Sequence, residues 1–405
     1  MNFKMIKSKR MSQLSLLLGA VFCLSAGQIQ AEERLVKIAG FGAKSGVLRP
    51  FGDNSEAAIR AAADKINSAG GIKLGDGATG KIVVEYIDDR CNAQEGIATV
   101  RQIASSDWLA AIGTTCSSVL EPVFGVLQKK VTDSGDSGVK LAIFGDVAMK
   151  IGLAKVSDWS FRNVPDEIKM YDTLWAWVKE HHPELKTIYG GVEENFVHSK
   201  QTWYDVMKVR AKRAGYDVNA ESKWLVDDTQ FATQVAEMKK SGADIIAISA
   251  HPFTACGVLT EMGRQGVKPK LLVGLTSMTT PETLETCGKY AEGIVIPTSF
   301  VPTNPTAKAA ADATAGYHGY ADLHSMAAWE NLFAIKQAAE SQGILARPDT
   351  VQADRLKIRA GLAGQKEIDG LLGPVYRTAD HESVKPFVLV QATNNKWQVI
   401  HTPTE

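Results

Sequence analysis

The chain has 405 residues, 45% hydrophobic and 22% charged, which is enough for two units with a core each. Lys plus Arg and Asp plus Glu both number 45, so the formal net charge is zero. That balance argues against a nucleic-acid binder, which needs a basic excess to meet phosphate.

In chain order the first feature is an export signal. Lys4, Lys7, Lys9 and Arg10 form a positive start, and residues 14–26 (LSLLLGAVFCLSA) form an apolar run too short to span a bilayer comfortably. Ala31 is a small-residue cleavage point ahead of Glu32 and Glu33. Residues 1–31 are therefore set apart from the fold, and the mature protein is expected in the periplasm. There the remaining cysteines, Cys91, Cys116, Cys256 and Cys287, are expected in disulfides. Of the pairings open to them, Cys91 with Cys116 and Cys256 with Cys287 is the most local. No C-x-x-C or H-x-x-x-H spacing supports zinc instead.

Strand-like runs then alternate with helical periods. Residues 34–41 (RLVKIAGF) read as a buried strand. Residues 53–68 read as an amphipathic helix with Ala57, Ile59, Ala62, Ala63 and Ile66 near one face, stopped by Gly70-Gly71. Strands follow at 81–87, 108–112 and 140–144, with a helix at 94–105. After a break at 161–165 (FRNVP) a second set begins: strands at 187–191, 244–249, 270–274 and 293–297, and helices at 170–181, 199–214, 229–240 and 254–265. This alternation predicts an α/β protein of two Rossmann-like lobes, each a parallel sheet flanked by helices. Pro297, Pro302 and Pro305 mark a second crossing between lobes, and residues 370–374 (GLLGP) a third. The expected division is 32–163 plus 301–372 for the N-terminal lobe, and 164–300 plus 373–405 for the C-terminal lobe. Runs at 386–391 and 396–401 around Asn394-Asn395 read as a hairpin.

No G-x-S-x-G elbow, H-E-x-x-H or P-loop appears, and no nucleophile–base pair stands out, so no enzyme and no cofactor is expected. Glu193, Glu194 and His198 are considered as metal ligands and set aside; Asp88-Asp89 reads as a strand-end turn. In open parallel sheets, ligands sit beyond the carboxyl ends of the strands. Three such ends carry suitable groups: residues 42–52 (GAKSGVLRPFG), 114–118 (TTCSS) and 145–148 (GDVA). Hydroxyls and backbone N–H groups at a helix start suit an anion such as a carboxylate. Ser117 and Ser118 fit that role, and they fit ordinary helix capping equally well.

The motifs GAKSGVLRPFGDNSEAAIRAAADKINSAGGI, YIDDRCNAQEG and IGTTCSSV, in that order and spacing, resemble those of the leucine/isoleucine/valine-type periplasmic binding proteins, the substrate-binding components of ABC importers. FRNVPDE, AEGIVIP and GLLGPVY fit later landmarks, so the resemblance spans nearly the whole mature chain. It implies the type I periplasmic-binding fold, with two lobes joined by three hinge crossovers that close on a ligand. It also implies a Cys91–Cys116 disulfide and a monomer that delivers a small molecule to a membrane permease. By position it implies that Thr115 and Ser117 meet the ligand, with Ser117 holding a carboxylate. Phe51 becomes an aromatic wall, Phe196 a lid and His251 a further ring contact, while Asp146 and Ala148 fall in the segment that completes the carboxylate site. Thr276 falls where amino-acid binders carry a glutamate for the ammonium group.

Three departures bear on the ligand. Thr276 cannot neutralise an ammonium, whose unpaired burial is expensive. Ala148 lacks a hydroxyl, and Asp146 adds a negative charge near the carboxylate position. The expected solute is therefore a small organic acid, aromatic or a keto acid. The alternatives are a branched-chain amino acid, an amide or amine anchored by Asp146, or a periplasmic sensor feeding a separate receptor.

Overall fold

The computed structural model describes residues 33–146, 148–150 and 152–403, so the export signal read at 1–31 lies outside the described residues. The first sheet and its helices follow the chain as β1 (Glu33–Gly42), α1 (Arg49–Ser68), β2 (Ile72–Lys73), β3 (Thr79–Asp88), α2 (Ala93–Ala104), β4 (Ala110–Gly113), α3 (Ser117–Gly125), β5 (Ala142–Gly145) and β6 (Ser160–Arg162). Strand order is β2-β3-β1-β4-β5-β6, parallel except where β2 folds back on β3. The helix expected from residue 53 starts earlier, at Arg49, because Pro50 is tolerated in a first turn whose N–H groups have no intrahelical partner anyway. That early start carries Phe51 on the helix. It also requires Gly52, since a Cβ there would lie 1.7 Å from the Ala43 carbonyl oxygen. The break expected at FRNVP begins only at Asn163, because Phe161 and Arg162 pair with Phe144 and Gly145 as the edge of the sheet.

The second sheet is built from β7 (Thr187–Glu193), β8 (Asp217–Trp224), β9 (Ile245–Ser249), β10 (Leu271–Gly274) and β11 (Val295–Thr298). The helices among them are α4 (Glu167–His181), α5 (Val197–Gln201), α6 (Lys208–Arg213), α7 (Ala232–Ser241), α8 (Pro252–Gln265) and α9 (Pro281–Cys287). The helix expected at 199–214 is interrupted by a π-helical stretch, Thr202–Met207, which turns the Trp203 ring onto β7. A Cβ at Gly190 would lie 2.2 Å from that ring, so the close approach needs glycine. Strand β8 was not expected. It is a sheet edge in which Val218, Ser222 and Trp224 are buried among exposed or half-buried Asp217, Asn219, Ala220, Glu221 and Lys223, so it carries no apolar run.

The chain then returns to the first core with α10 (Pro305–Ala315), α11 (Leu323–Gln342) and α12 (Val351–Gly364). Trp329, Leu332 and Ile335 of α11 are buried with Val36, Ile38 and Ile59 in one cluster. A small antiparallel sheet follows: β12 (Glu367–Gly370), β13 (Gly373–Arg377) and β14 (Ser383–Val384), in which Gly370 pairs with Gly373 and GLLGP forms the turn. The chain ends in the expected hairpin, β15 (Val388–Thr393) and β16 (Lys396–His401). Asn394 and Asn395 turn it at φ of 52° and 58°, the left-handed region that asparagine tolerates. This hairpin joins β11 antiparallel, giving the order β16-β15-β11-β10-β9-β7-β8.

Among the described residues the chain crosses between the two main sheets after β6, after β11 and before β15. These crossings are tied around one buried carboxylate. Glu330 of α11 accepts from Asn163 Nδ2 at 2.7 Å and from Leu371 N at 2.7 Å, and it pairs with Lys385. Asn304 Nδ2, at the second crossing, donates to the Leu371 carbonyl at 2.7 Å. Both disulfides take the local pairing. Cys91–Cys116 ties the β3–α2 loop to the start of α3, and Cys256–Cys287 ties α8 to α9.

Asp322 caps α11, accepting from His324 N at 2.9 Å and Ser325 N at 2.7 Å, while Ser325 Oγ accepts from Asp322 N at 2.9 Å. Burial pushes this carboxyl up from 3.8 to about 6. A raised folded-state value means that the native state binds the proton more tightly than the unfolded chain. The group therefore adds stability as pH falls from about 6 towards about 4, and loses that contribution as pH rises through the same window. Asp322→Asn keeps an oxygen for the cap. In urea unfolding between pH 4 and pH 8, the stability of the natural chain minus that of the variant should decline as pH rises. A level or rising difference would show that Asp322 is not held protonated.

Candidate ligand-binding site

The carboxyl ends of strands in both sheets face one gap. Beyond β1 the chain enters α1 with Leu48 and Phe51, and beyond β4 it passes Thr115 to Ser117 at the start of α3. Opposite them lie Phe196 and His198 after β7, His251 after β9 and Ser277 after β10, and His324 enters from the start of α11. Together these residues enclose a cavity of about 10 Å³. That is about the room one water needs, so a solute enters only when the lobes part. Rings meet edge to face at the gap: across it Phe51 lies 6.0 Å from His251, within the first lobe Phe51 lies 5.4 Å from His324, and within the second lobe Phe196 lies 4.5 Å from His251. Two wider grooves, of about 670 and 590 Å³, lie beside α11 and beside the small sheet, and neither is walled by these strand ends.

Local chemistry leaves the α3 start under-satisfied. Its N-cap, Cys116, supplies no side-chain hydrogen bond, and its sulfur is held in the disulfide. The Ser117 hydroxyl is buried and has no hydrogen-bond partner. Thr115 is engaged differently: its Oγ1 accepts from Ala43 N at 3.1 Å and pins the first loop to the end of β4. Asp88 Oδ1 accepts from Lys44 N and Arg90 N, each at 2.8 Å, and buried Asp89 accepts from Thr114 Oγ1 and from Cys91 N. The paired aspartates are thus the brace of the first lobe's strand-end loops.

The second lobe buries two glutamates, each against a histidine. Glu193 lies 2.6 Å from His251 Nδ1, and it accepts from Thr254 Oγ1 at 2.6 Å and Ser199 Oγ at 3.2 Å. Glu167, in the first turn of α4, lies 3.0 Å from His198 Nε2 and accepts from Thr202 Oγ1 and Thr276 Oγ1, each at 2.8 Å. Burial pushes both carboxyls up, but the charge and hydrogen bond of the neighbouring histidine and the hydroxyl donors outweigh it and hold both below the ordinary range. Ser277 Oγ then lies 3.2 Å from His198 Nδ1 and 3.1 Å from His324 Nε2, which completes a chain of polar contacts from Glu167 to α11.

Of the positions singled out from sequence, Phe51, Thr115, Ser117, Phe196 and His251 meet around the cavity. Thr276 stands one residue behind its wall, turned to Glu167. Asp146 accepts from Ser55 Oγ, and the Ala148 carbonyl accepts from Arg162 Nη2 at 2.9 Å; neither residue lines the cavity. Glu193, Glu194 and His198 part company: Glu193 turns to His251, Glu194 to Lys223 at 3.0 Å, and His198 to Glu167. Among the described residues, no group of His, Cys, Asp and Glu is arranged to hold a metal ion. Ser277, His324 and Glu167 were not foreseen. The Asp322–Ser325 spacing does mark a helix start, but it gives no hint of which strand ends that start will face.

Two α/β lobes with opposed strand ends, joined by three crossings, define a bilobal binding protein. Residues 35–396 match the model of the periplasmic binding protein family, and the chain belongs to that family. Its fold is the type I periplasmic-binding fold that the motifs implied. The chain is 23% identical over 335 residues to Leu/Ile/Val-binding protein homolog 3 of Brucella melitensis, covering 82% of this chain and 85% of that one. The substrate binding protein LivJ of a branched-chain amino acid transporter from Streptococcus pneumoniae, solved with isoleucine, superposes with a TM-score of 0.76. It is 20% identical and covers 92% of this chain and 100% of its own. A solute binding protein of an ABC transporter from R. palustris, solved with benzoate, superposes with a TM-score of 0.75 at 16% identity, covering 91% and 96%. At those identities the solved structures establish a common fold.

Proposed function

We propose that the protein is the periplasmic solute-binding component of an ABC importer, capturing a small organic carboxylate, aromatic or a keto acid, between its lobes. The observation that carries this is the buried, unpartnered Ser117 hydroxyl at the uncapped start of α3. Such a group, with helix N–H groups beside it, suits an anion. The glutamates of the opposite lobe support an acid over an amine, since histidine, threonine and serine donors already occupy them. Phe51 and Phe196 supply the apolar walls. Solute binds one lobe while the gap is open, a hinge motion closes the other lobe over it, and the closed form is presented unchanged to a permease. A micromolar dissociation constant would correspond to about −8 kcal/mol, within reach of a few charge-assisted hydrogen bonds plus aromatic burial.

A branched-chain amino acid is the second reading. Glu167, bonded to Thr276, brings a carboxylate near the strand end where an ammonium would need one. It would have to release His198, Thr202 and Thr276 to serve it, and that exchange favours the acid. Calorimetric titration with aromatic acids, keto acids and leucine separates the two. Carboxylates without an amine should bind more tightly than leucine, and Ser117→Ala should weaken them by about 1–3 kcal/mol. Tight binding of leucine alone, indifferent to Ser117, would overturn the proposal.

A further inference from the structure

The polar chain that runs from Glu167 across the gap ends on an atom with no partner. His324 is buried and lines the cavity, and its Nδ1 has no hydrogen-bond partner. Every other link is occupied. Glu167, as a carboxylate, only accepts, so His198 Nε2–H donates to it. Two arrangements of hydrogen satisfy the rest. If His198 Nδ1 is bare, Ser277 Oγ–H donates to it and accepts from His324 Nε2–H, which leaves His324 Nδ1 an acceptor. If His198 is the imidazolium, the charged state that lowers the neighbouring Glu167, its Nδ1 also carries a hydrogen and the chain reverses: Ser277 accepts from it and donates to His324 Nε2, and His324 Nδ1 becomes a donor. Burial holds the His324 imidazole well below its ordinary value, so the ring is neutral and one nitrogen is always bare.

We propose that His324 Nδ1 is a specificity-determining anchor for a hydroxyl group on the solute, held in register by Ser277 and His198, so that the cargo is a hydroxy-carboxylate. A hydroxyl both donates and accepts, and so answers either arrangement of the relay. An ammonium only donates and a keto oxygen only accepts, so each answers one. An acid with no second polar group leaves a buried nitrogen unpaired, and sites built to bond a hydroxyl reject analogues that lack it. The Phe51 ring, 5.4 Å from His324, confines the solute between this nitrogen and the apolar wall. The inference rests on the carboxylate reading, and it narrows that reading's acids to those with a hydroxyl.

The test is calorimetric titration of the full mature chain with matched pairs: benzoate against 3-hydroxybenzoate and 4-hydroxybenzoate, and 4-methylpentanoate against its 2-hydroxy derivative. At least one hydroxy acid should bind about 10-fold or more tighter than its parent. His324→Phe keeps a ring against Phe51 and should erase that preference, so that the two members of each pair bind alike. Ser277→Ala leaves the His324 ring in place and should reduce the preference by cutting its Nε2 partner. Ser117→Ala should weaken both members of a pair alike. Equal binding within every pair, or a preference that survives both His324→Phe and Ser277→Ala, overturns this proposal while the Ser117 dependence still upholds the carboxylate reading. If no acid binds, both fall.

Discussion

Glu330→Gln is expected to remove about 3–5 kcal/mol of folding stability, the cost of leaving one member of a buried ion pair without the other. The side chains of Glu330 and Lys385 are each only 3% exposed. The carboxylate meets three donors on its two oxygens: Leu371 N on Oε1, and Asn163 Nδ2 and the Lys385 ammonium on Oε2. An amide keeps one acceptor oxygen and turns an NH₂ group on the donors that faced the other. Lys385→Met should cost less, because Asn163 and Leu371 still satisfy the carboxylate. Adding Lys385→Met to Glu330→Gln should recover more than about 1 kcal/mol, since it removes the stranded ammonium. Urea midpoints of the four proteins measure this directly. A Glu330→Gln midpoint indistinguishable from the natural chain would mean that this knot contributes little to holding the crossings together.

Replacing Cys91 and Cys116 by alanine should cost about 3 kcal/mol, the loop-closure entropy of a bridge spanning 25 residues. It should also weaken solute binding, because the bridge anchors the N-cap position immediately before Ser117. Cys91→Ala with Cys116→Ser should be more stable than the double alanine by about 1 kcal/mol, since the N-cap backbone is extended and serine would supply the cap that cysteine does not. Removing Cys256 and Cys287 deletes a bridge of similar span, 31 residues, between two helices that carry none of the cavity residues except through the His251 cap of α8. It should lower the unfolding midpoint comparably and leave affinity within about 3-fold, the entropy being nearly equal for the two loops. Equal losses of affinity from both removals would show that the first bridge has no local effect at the site.

The elements that could be read in advance are those whose pattern is complete within a few neighbours. Strand β1 shows as a buried run, α1 as a stripe of alanine and isoleucine, and the terminal hairpin as two alternating runs around Asn394-Asn395. Strand β8 escaped because it carries no apolar run, only Val218 and Trp224 being apolar and buried, and the small sheet escaped because its strands are short and its turn looks like a linker. The site divides in the same way. Ser117 stands next to a strand end on its own segment, where the local pattern exposes it, while Phe51, inside α1, was placed by the family resemblance. His324 lies far along the chain from both, and reaches them only because α11 packs against the first core.

From its own order of residues this chain determined the alternation of strand and helix and the cluster of small donors where β4 gives way to α3, while the pairing of its cysteines stayed open until the fold brought them together. The alternation and the cluster are set by neighbours along the backbone, through side-chain period and orphaned helix N–H groups. Tertiary structure alone decided where the buried charges go: Glu193 to His251, Glu167 to His198, Glu330 to Lys385. A buried charge must find its partner in space, and the identity of that partner depends on which strand ends the three crossings bring face to face.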